Sequence, residues 1–194
     1  MRSLDIIVVL WVMSVCHITT SICDELDHED AKFCSGGLKV TYPDRVIDGC
    51  AIIPQEFREK ISKVWGPPQV QLTGVNENRK YTLLMVDPDA PSLMNPSLAN
   101  WRHWVIVGIK GSGLVRGDIR GDELSAYQPP TPPHGTGLHR YQFLVFEQPD
   151  GQTLSLTPKE KSSLGNWDPK PFVQRFGLTG PVAALQFLTQ NHKD

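Results

Sequence analysis

The sequence predicts a mainly β domain, a sandwich with peripheral and C-terminal helices, from three observations. Residues 81–86 and 104–109 form two runs of strand length that are apolar on both faces, which is typical of central strands covered on both sides. Sixteen glycines and sixteen prolines provide many turns, which favours a β-rich body over a helical bundle. The end of the chain changes to a helix-compatible composition, which places helices there.

Shorter patterns predict the remaining strands and loops. An alternation of apolar residues predicts a strand at 141–147, and turn residues bound further expected strands at 38–42, 70–72 and 154–156. Gly111-Ser112-Gly113 is expected to turn the chain into residues 114–119. Residues 128–137, with four prolines and two glycines, are expected to form an irregular loop.

Three segments are expected to be helical. In residues 54–65, apolar positions recur at helical spacing after a proline that suits a first helical turn. Residues 171–176 and 181–191 each begin at a proline. In the last of these, Val182, Leu185 and Leu188 recur every three positions and would give one apolar face against the sandwich.

Length and charge limit the classes of function. A chain of 194 residues has room for one ordinary domain with a sizeable core. The sequence has 19 Lys and Arg and 21 Asp and Glu, so it has no excess of positive charge and no nucleic-acid partner is expected. No window beyond the N-terminus is apolar enough for a transmembrane segment.

The N-terminus has the order of a secretory signal peptide. Arg2 precedes an apolar stretch at 6–15, which Asp5 adjoins, and a small polar run follows, with cleavage expected after Ser21 or Cys23. The expected organisation is a signal peptide at 1–23, an acidic flexible lead-in at 24–37 and the sandwich domain at 38–194. The expected location is secreted, or retained in the endomembrane or lysosomal system.

The cysteines agree with an oxidising compartment. All four lie in the first 50 residues, and removal of the signal peptide up to Cys23 leaves Cys34 and Cys50, which enclose 15 residues. A disulfide between them would restrict the unfolded chain by about 3 kcal/mol in the loop-entropy model. The alternatives are two free buried thiols, or a retained Cys23 that pairs between chains.

Three distant segments carry most of the chemistry: residues 87–91, 100–104 and 135–141. Each adjoins an expected apolar strand, and the end of one antiparallel strand lies beside the start of its neighbours, so the three should share one edge. Together they hold two carboxylates, two imidazoles, two guanidinium groups and a phenol: Asp87, Asp89, His103, His139, Arg102, Arg140 and Tyr141. Unpaired buried polar groups are costly, so the mixture predicts a pocket for a polar, anionic ligand.

The side-chain period of two makes the prediction specific. It places His139 on the face of Tyr141, and it places His103 on the face of Val105 and Val107. Asp87 beside an imidazole would favour the imidazolium, with Arg140 adding positive charge. Gly135 and Gly137 would let the backbone approach the ligand. A phosphate monoester would then accept hydrogen bonds from the imidazoles, from the phenol and from the N–H groups of this loop.

Plainer interpretations exist for each part. An Asp-Pro-Asp sequence is most often a capped turn, and His103 between two tryptophans could be a core histidine. Asp87, His103 and His139 could form a two-His, one-carboxylate metal site, but Arg102 and Arg140 would repel a cation. No Gly-x-Ser-x-Gly turn and no cysteine near the histidines supply a nucleophile. The sequence therefore predicts a binding protein, with no enzymatic activity, metal or cofactor.

Asp87-Pro-Asp-Ala-Pro, Trp101-x-His and Gly135-x-Gly-x-His-Arg-Tyr, in this order, resemble the phosphatidylethanolamine-binding protein family over about residues 38–191. The resemblance implies two antiparallel sheets, a small anion site for phosphorylated head groups and a cis peptide at Ala90-Pro91. The secretory start and the N-terminal cysteines resemble the secreted branch. The family also implies modulation of signalling through kinase cascades, or inhibition of serine proteases.

The resemblance assigns residues one by one. Asp87, His103, His139 and Tyr141 stand where the family has its pocket residues. The expected periphery of the site comprises Asp89, Pro91, Trp101, Gly135, Gly137, Arg140 and Phe187. The chain departs from the family pattern where Arg102 replaces a histidine, where Thr131-Pro132 replaces a Gly-Pro, and where Phe187 falls at a frequent tyrosine.

Overall fold

A computed structural model gives the structure of residues 26–194, and the predicted signal peptide lies outside this described part. The strands of this part are β1 Leu38–Tyr42, β2 Arg45–Ile47, β3 Ala51–Ile52, β4 Gln69–Leu72, β5 Lys80–Asp87, β6 Trp101–Lys110, β7 Asp122–Ser125, β8 His139–Gln148 and β9 Thr179–Thr189. The helices are α1 His28–Lys32, α2 Gln55–Glu59, which continues as a π-helical turn at Lys60–Val64, α3 Gly111–Arg116, α4 Pro158–Ser162 and α5 Pro169–Arg175.

The strands form two sheets, which confirms the predicted mainly β fold with short helices around it. One sheet has three antiparallel strands in the order β2-β1-β4. The other has six in the order β3-β9-β8-β5-β6-β7. The pairs of the larger sheet are antiparallel except that of β3 and β9.

The larger sheet is covered on both faces. Leu83 and Met85 of β5 belong to an apolar cluster shared with Val40 of β1 in the smaller sheet. Leu84 and Val86, the alternate residues of β5, belong to a second cluster that contains side chains of α5. Burial on both faces explains why β5 and β6 read as continuous apolar runs and not as alternating ones.

The predicted helix at 181–191 is wrong, because this segment is strand β9 in the middle of the larger sheet. Ala183 to Leu188 are all buried, including the polar Gln186, and β9 is paired on one side with β8 and on the other with β3. Three apolar residues at a spacing of three do not distinguish a helix from a strand covered on both faces. The helix predicted at 171–176 is present as α5.

Two smaller predictions also fail. Residues 154–156 form no strand in the described structure, although Leu154 and Leu156 are buried in the second apolar cluster. The expected turn at Gly111 is the start of helix α3. A Cβ at Gly111 would lie 2.2 Å from the carbonyl oxygen of Asn76, so glycine is there because two backbone segments approach closely.

The predicted disulfide between Cys34 and Cys50 is confirmed. Ser35, next to Cys34, bridges to Ala184 of β9. Cys50 directly precedes β3, which pairs with β9 further along. The disulfide therefore joins two segments that cover the same edge of β9, and α1 lies just before the first of them.

None of the helices in residues 26–194 has the length and the hydropathy that a membrane crossing requires.

Candidate functional site

Three strand ends meet at one edge of the larger sheet. β5 ends at Asp87, and its two antiparallel neighbours, β6 and β8, begin at Trp101 and His139. Asp87 is paired directly with Trp101. The structure thus brings the three polar segments of the sequence together.

A cavity of about 420 Å³ opens at this edge. It is lined by Asp87, Ala90, Pro91, Leu98, Trp101, His103, Gln128, Pro129, Thr131, Pro132, Pro133, His139 and Tyr141. All four residues assigned to the pocket are in the lining, with Pro91 and Trp101 of the expected periphery. The other peripheral residues lie outside the lining, namely Asp89, Gly135, Gly137, Arg140 and Phe187.

Asp87 and His139 form a buried pair. Oδ2 of Asp87 lies 2.8 Å from Nδ1 of His139, and the two side chains are 4% and 1% exposed. Oδ1 of Asp87 accepts a hydrogen bond from the backbone N–H of Asp89 at 2.7 Å. On the other side of the ring, Nε2 of His139 lies 2.9 Å from the hydroxyl oxygen of Thr136.

His103 is the extra residue of a β-bulge. Met85 and Val86 of β5 pair with Trp104 and Arg102 of β6, so His103 between them has no partner on β5. The bulge turns His103 towards Tyr141, whose ring lies 5.1 Å away between centroids in an edge-on contact. The prediction that His103 shares a face with Val105 and Val107 is therefore wrong, because the period of two is interrupted at the bulge.

His103 is a neutral group at neutral pH. Burial lowers the pKa of His103 below its ordinary value of 6.5, although its hydrogen bond with the Gln128 carbonyl and the charge of Asp87 act in the opposite direction. Nδ1 lies 2.8 Å from that carbonyl, which can only accept, so Nδ1 carries the proton. At His103 desolvation thus outweighs the attraction of the Asp87 charge, and the imidazole that Asp87 contacts directly is that of His139.

Tyr141 lines the cavity with a buried side chain. Its ring stacks on Phe187, which is outside the lining, with 5.5 Å between centroids. Burial raises the pKa of Tyr141 well above its ordinary value, and the charges of Asp87 and Asp89 add to the effect. The phenol is therefore a neutral hydrogen-bonding group.

Arg140 is bound to Asp89 and does not line the cavity. Its Nε and Nη2 donate to the two carboxylate oxygens of Asp89 at 2.9 and 2.6 Å, and its backbone N–H donates to the same carboxylate at 2.9 Å. The hydrogen bonds with Asp89 raise the pKa of Arg140. The guanidinium is thus already neutralised by a carboxylate next to the cavity.

Arg102, the other arginine of the motif, lies on the opposite face of the sheet. Its guanidinium stacks on Trp167 at 5.2 Å and donates to the Ser125 hydroxyl and to the Glu160 carbonyl. Burial lowers the pKa of Arg102. Arg102 therefore supports the sheet from the other face and is not part of the cavity lining.

The glycine-rich loop is held by the end of the chain. The backbone N–H of Gly135 donates to the carboxylate of Asp194 at 3.1 and 3.2 Å, and Asn191 donates to the carbonyl of Pro132 at 2.9 Å. The loop N–H of Gly135 is thus occupied, and it does not serve as the predicted donor to a ligand in the cavity.

The sequence did not identify the apolar walls of the cavity or the partner of His139. Leu98, Gln128 and the Pro129–Pro133 stretch belong to loops whose course no periodicity predicts, although the proline content marked the second loop as irregular. Thr136, three residues before His139, had no distinguishing signal. The Ala90–Pro91 peptide is cis, as expected. Within residues 26–194, no group of three or more His, Cys, Asp or Glu side chains is arranged to hold a metal ion.

Comparison with known proteins identifies a family and a shared fold. A family model described as phosphatidylethanolamine-binding protein matches residues 45–191. The solution structure of a protein described as CG7054 is 31% identical, with a TM-score of 0.58, over 87% of this chain and 90% of that one.

Two more distant structures share the fold. A phosphatidylethanolamine-binding protein from Plasmodium vivax is 18% identical with a TM-score of 0.59, over 79% of this chain and 84% of that one. A carboxypeptidase Y inhibitor, in complex with its cognate proteinase, is 22% identical with a TM-score of 0.58, over 79% of this chain and 82% of that one.

Proposed function

Because the chain belongs to the phosphatidylethanolamine-binding protein family, we propose that it is a non-enzymatic binding protein whose cavity takes a small anion, such as the phosphorylated head group of phosphatidylethanolamine. The observation that carries the proposal is the meeting of Asp87, His103, His139 and Tyr141 in one cavity of about 420 Å³. Membership of the family supports a ligand-binding role in general. The chemistry of these four side chains is the reason for proposing an anion as the ligand.

In this proposal the anion is bound by hydrogen bonds from imidazole and phenol groups and not by arginine side chains. Arg102 and Arg140 do not line it, and His103 is neutral at neutral pH. Nε2 of His103 makes no hydrogen bond within the described residues, so in the neutral ring it offers a lone pair to the cavity. A phosphate monoester that keeps one proton can donate to this lone pair while its other oxygens accept from Tyr141 and from a protonated imidazole.

Secretion and a role in signalling are parts of the same proposal. The apolar N-terminal stretch and the Cys34–Cys50 disulfide support an oxidising compartment, that is, secretion or retention in the endomembrane or lysosomal system. The binding protein would then modulate signalling through a partner protein such as a kinase-pathway component. Expression of the full chain in cultured cells, with N-terminal sequencing of material from the medium, tests the location.

Inhibition of a serine protease is the second candidate. It is supported by the fold shared with the carboxypeptidase Y inhibitor. Residual activity of serine carboxypeptidases and endopeptidases, measured against increasing amounts of the purified protein, separates this candidate from the first. An inhibition constant that Tyr141→Phe does not change would place inhibition on a different surface from the cavity.

The anion site is tested by titration of the purified protein with phosphoethanolamine, inorganic phosphate and acetate. Tyr141→Phe removes only the phenol oxygen and leaves the stacking on Phe187, so we expect about five- to tenfold weaker binding, the loss of one hydrogen bond. Tyr81→Phe is the matched control, because the Tyr81 hydroxyl contacts Asn76 and is not in the lining. Parental affinity in Tyr141→Phe, or no binding of any probe by the parent, contradicts the proposal.

His139→Ala tests whether the imidazole of the Asp87–His139 pair binds the ligand. It should abolish the heat-stability shift caused by phosphoethanolamine, since ligand that binds only the native state raises the melting temperature. Because removal of His139 also leaves the buried Asp87 carboxylate without its partner, the variant should melt at a lower temperature than the parent without ligand. A parental ligand-induced shift in His139→Ala would show that the imidazole does not contact the ligand.

A further inference from the structure

Both ring nitrogens of His139 are engaged by other side chains. Nδ1 is 2.8 Å from Asp87, and Nε2 is 2.9 Å from the hydroxyl oxygen of Thr136. Nε2 is the nitrogen that an anion in the cavity would use, since Nδ1 is buried against the carboxylate. An oxyanion that takes a hydrogen bond from Nε2 therefore has to replace Thr136.

The hydrogen bonds of Thr136 indicate which way its proton points. The same hydroxyl oxygen lies 2.7 Å from the carbonyl of Pro133, which can only accept. The hydroxyl therefore donates to Pro133 and offers a lone pair to Nε2 of His139. Since the Asp87 carboxylate also accepts, both nitrogens of His139 donate, and this is the hydrogen-bond pattern of an imidazolium.

The Thr136 hydroxyl thus accepts the hydrogen bond from Nε2 of His139 that a ligand oxyanion would accept, but the hydroxyl carries no charge. In the bond from a charged imidazole to Thr136 only the donor is ionised, whereas in a bond to a phosphate oxygen donor and acceptor carry opposite charges, and this makes the second bond stronger. A phosphate oxygen can therefore displace the hydroxyl, whereas a neutral hydroxyl or amide ligand would only exchange one neutral acceptor for another. The contact excludes weak competitors from the imidazole.

The backbone around Thr136 allows such a displacement. Gly135 and Gly137 on either side have φ of +74° and +75°, and each has open space where a Cβ would be. Glycine adopts this conformation without steric cost, and no side chain beside Thr136 obstructs a movement of its hydroxyl while the N–H of Gly135 stays bound to Asp194. Thr136 lies just outside the cavity lining, whereas its two partners Pro133 and His139 are both in it.

We propose that Thr136 is a positioning and specificity-determining residue, whose hydroxyl holds Nε2 of His139 until a ligand oxyanion replaces it. The proposal rests on the anion-binding function proposed above and names the group with which the ligand competes. The ligand class that this contact selects is a phosphate or phosphate monoester, and neutral polar molecules are rejected.

Three variants test the competition. Thr136→Val keeps the shape of the side chain and removes the hydroxyl, Thr136→Ala removes it with less bulk, and Thr136→Ser keeps it. In titrations with inorganic phosphate and phosphoethanolamine, Val and Ala should bind about three- to tenfold more tightly than the parent, since the ligand no longer displaces a hydrogen bond. Ser should bind with parental affinity.

A spectroscopic measurement separates competition from a merely structural role. In nitrogen-15 NMR spectra without ligand, the Nε2 resonance of His139 should move in Val and Ala and stay near the parental position in Ser. A structural role for Thr136 would instead give a lower melting temperature and equal or weaker ligand binding in Val. Thr136→Ala decides the question if Thr136→Val does not fold.

The outcomes distinguish the two proposals. If the parent binds phosphate and the hydroxyl-free variants bind it equally or more weakly, the competition is refuted and the anion site stands. If phosphate binds only to the hydroxyl-free variants, the competition is supported in its strongest form. If neither the parent nor any variant binds phosphate or phosphoethanolamine, the anion site is refuted, and the role of Thr136 falls with it.

Discussion

Removal of the Arg140 guanidinium should destabilise the fold and leave anion binding nearly unchanged. The Asp89 side chain is 1% exposed and the Arg140 side chain 33% exposed. Removal of one partner of a buried ion pair costs about 3–5 kcal/mol, because the other charge stays buried without compensation. For Arg140→Gln we expect the lower end, about 3 kcal/mol, since the backbone N–H of residue 140 still donates to Asp89 and water reaches the exposed part of the site.

Two further variants test whether the loss of stability comes from the ion pair between Arg140 and Asp89. Arg140→Lys keeps the charge but not the two parallel donors, so it should cost about 1–1.5 kcal/mol. In Asp89→Asn combined with Arg140→Gln, no buried charge is left over, so the double variant should be more stable than the sum of the single changes predicts. Urea unfolding at neutral pH measures the parent, these variants and the single Asp89→Asn variant that the cycle requires, and phosphoethanolamine titration is performed on each.

A direct role of Arg140 in anion binding would give the opposite result. If Arg140→Gln unfolds like the parent and loses tenfold or more in affinity, the guanidinium contacts the ligand and its pairing with Asp89 is not the dominant interaction. If stability falls and affinity is retained, Arg140 acts by fixing the turn between β5 and the cis Ala90–Pro91 peptide at the cavity wall.

Two other predictions concern pH and glycine. Since burial lowers the pKa of His103 below 6.5, the unfolded chain takes up this proton first, so the free energy of unfolding should fall as pH decreases through about 6.5. Phosphoethanolamine affinity should rise over the same interval, and a pH-independent affinity between 5 and 8 would show that no imidazole proton is involved. Gly36→Ala should cost at least about 1 kcal/mol more than Gly37→Ala in urea unfolding. Both have positive φ, but only at Gly36 would a Cβ meet a carbonyl oxygen, that of Val182 at 2.5 Å, so equal losses would contradict this close approach.

The sequence predicted the larger sheet where a residue pattern reports local burial, as at β5, β6 and β8. It failed at β9, because Ala, Leu and Gln in that segment suit a helix and only pairing with β8 and β3 makes it a strand. The failure has a physical cause, since tertiary hydrogen bonding overrides a weak local preference. The disulfide was predictable because only two cysteines lie beyond the predicted signal peptide at 1–23.

The site was predicted in composition and not in orientation. Strand ends and side-chain type brought Asp87, His139 and Tyr141 to one edge, as the antiparallel pairing requires. The bulge at His103 depends on a register shift between β5 and β6 that no sequence period reports. The direction of Arg102 follows from that same shift, since it points to Trp167 on the other face.

The sequence prediction and the structure differ most in the role of the two arginines, Arg102 and Arg140. In the sequence they supply two positive charges to an anion pocket, but in the structure Asp89 neutralises one and the sheet separates the other from the cavity. For the anion binding proposed above, the remaining source of positive charge is a proton on an imidazole. If the cavity binds an anion as proposed, binding is linked to a proton on an imidazole, and Thr136, which lies 2.9 Å from Nε2 of His139, takes part in that linkage together with the residues that line the cavity.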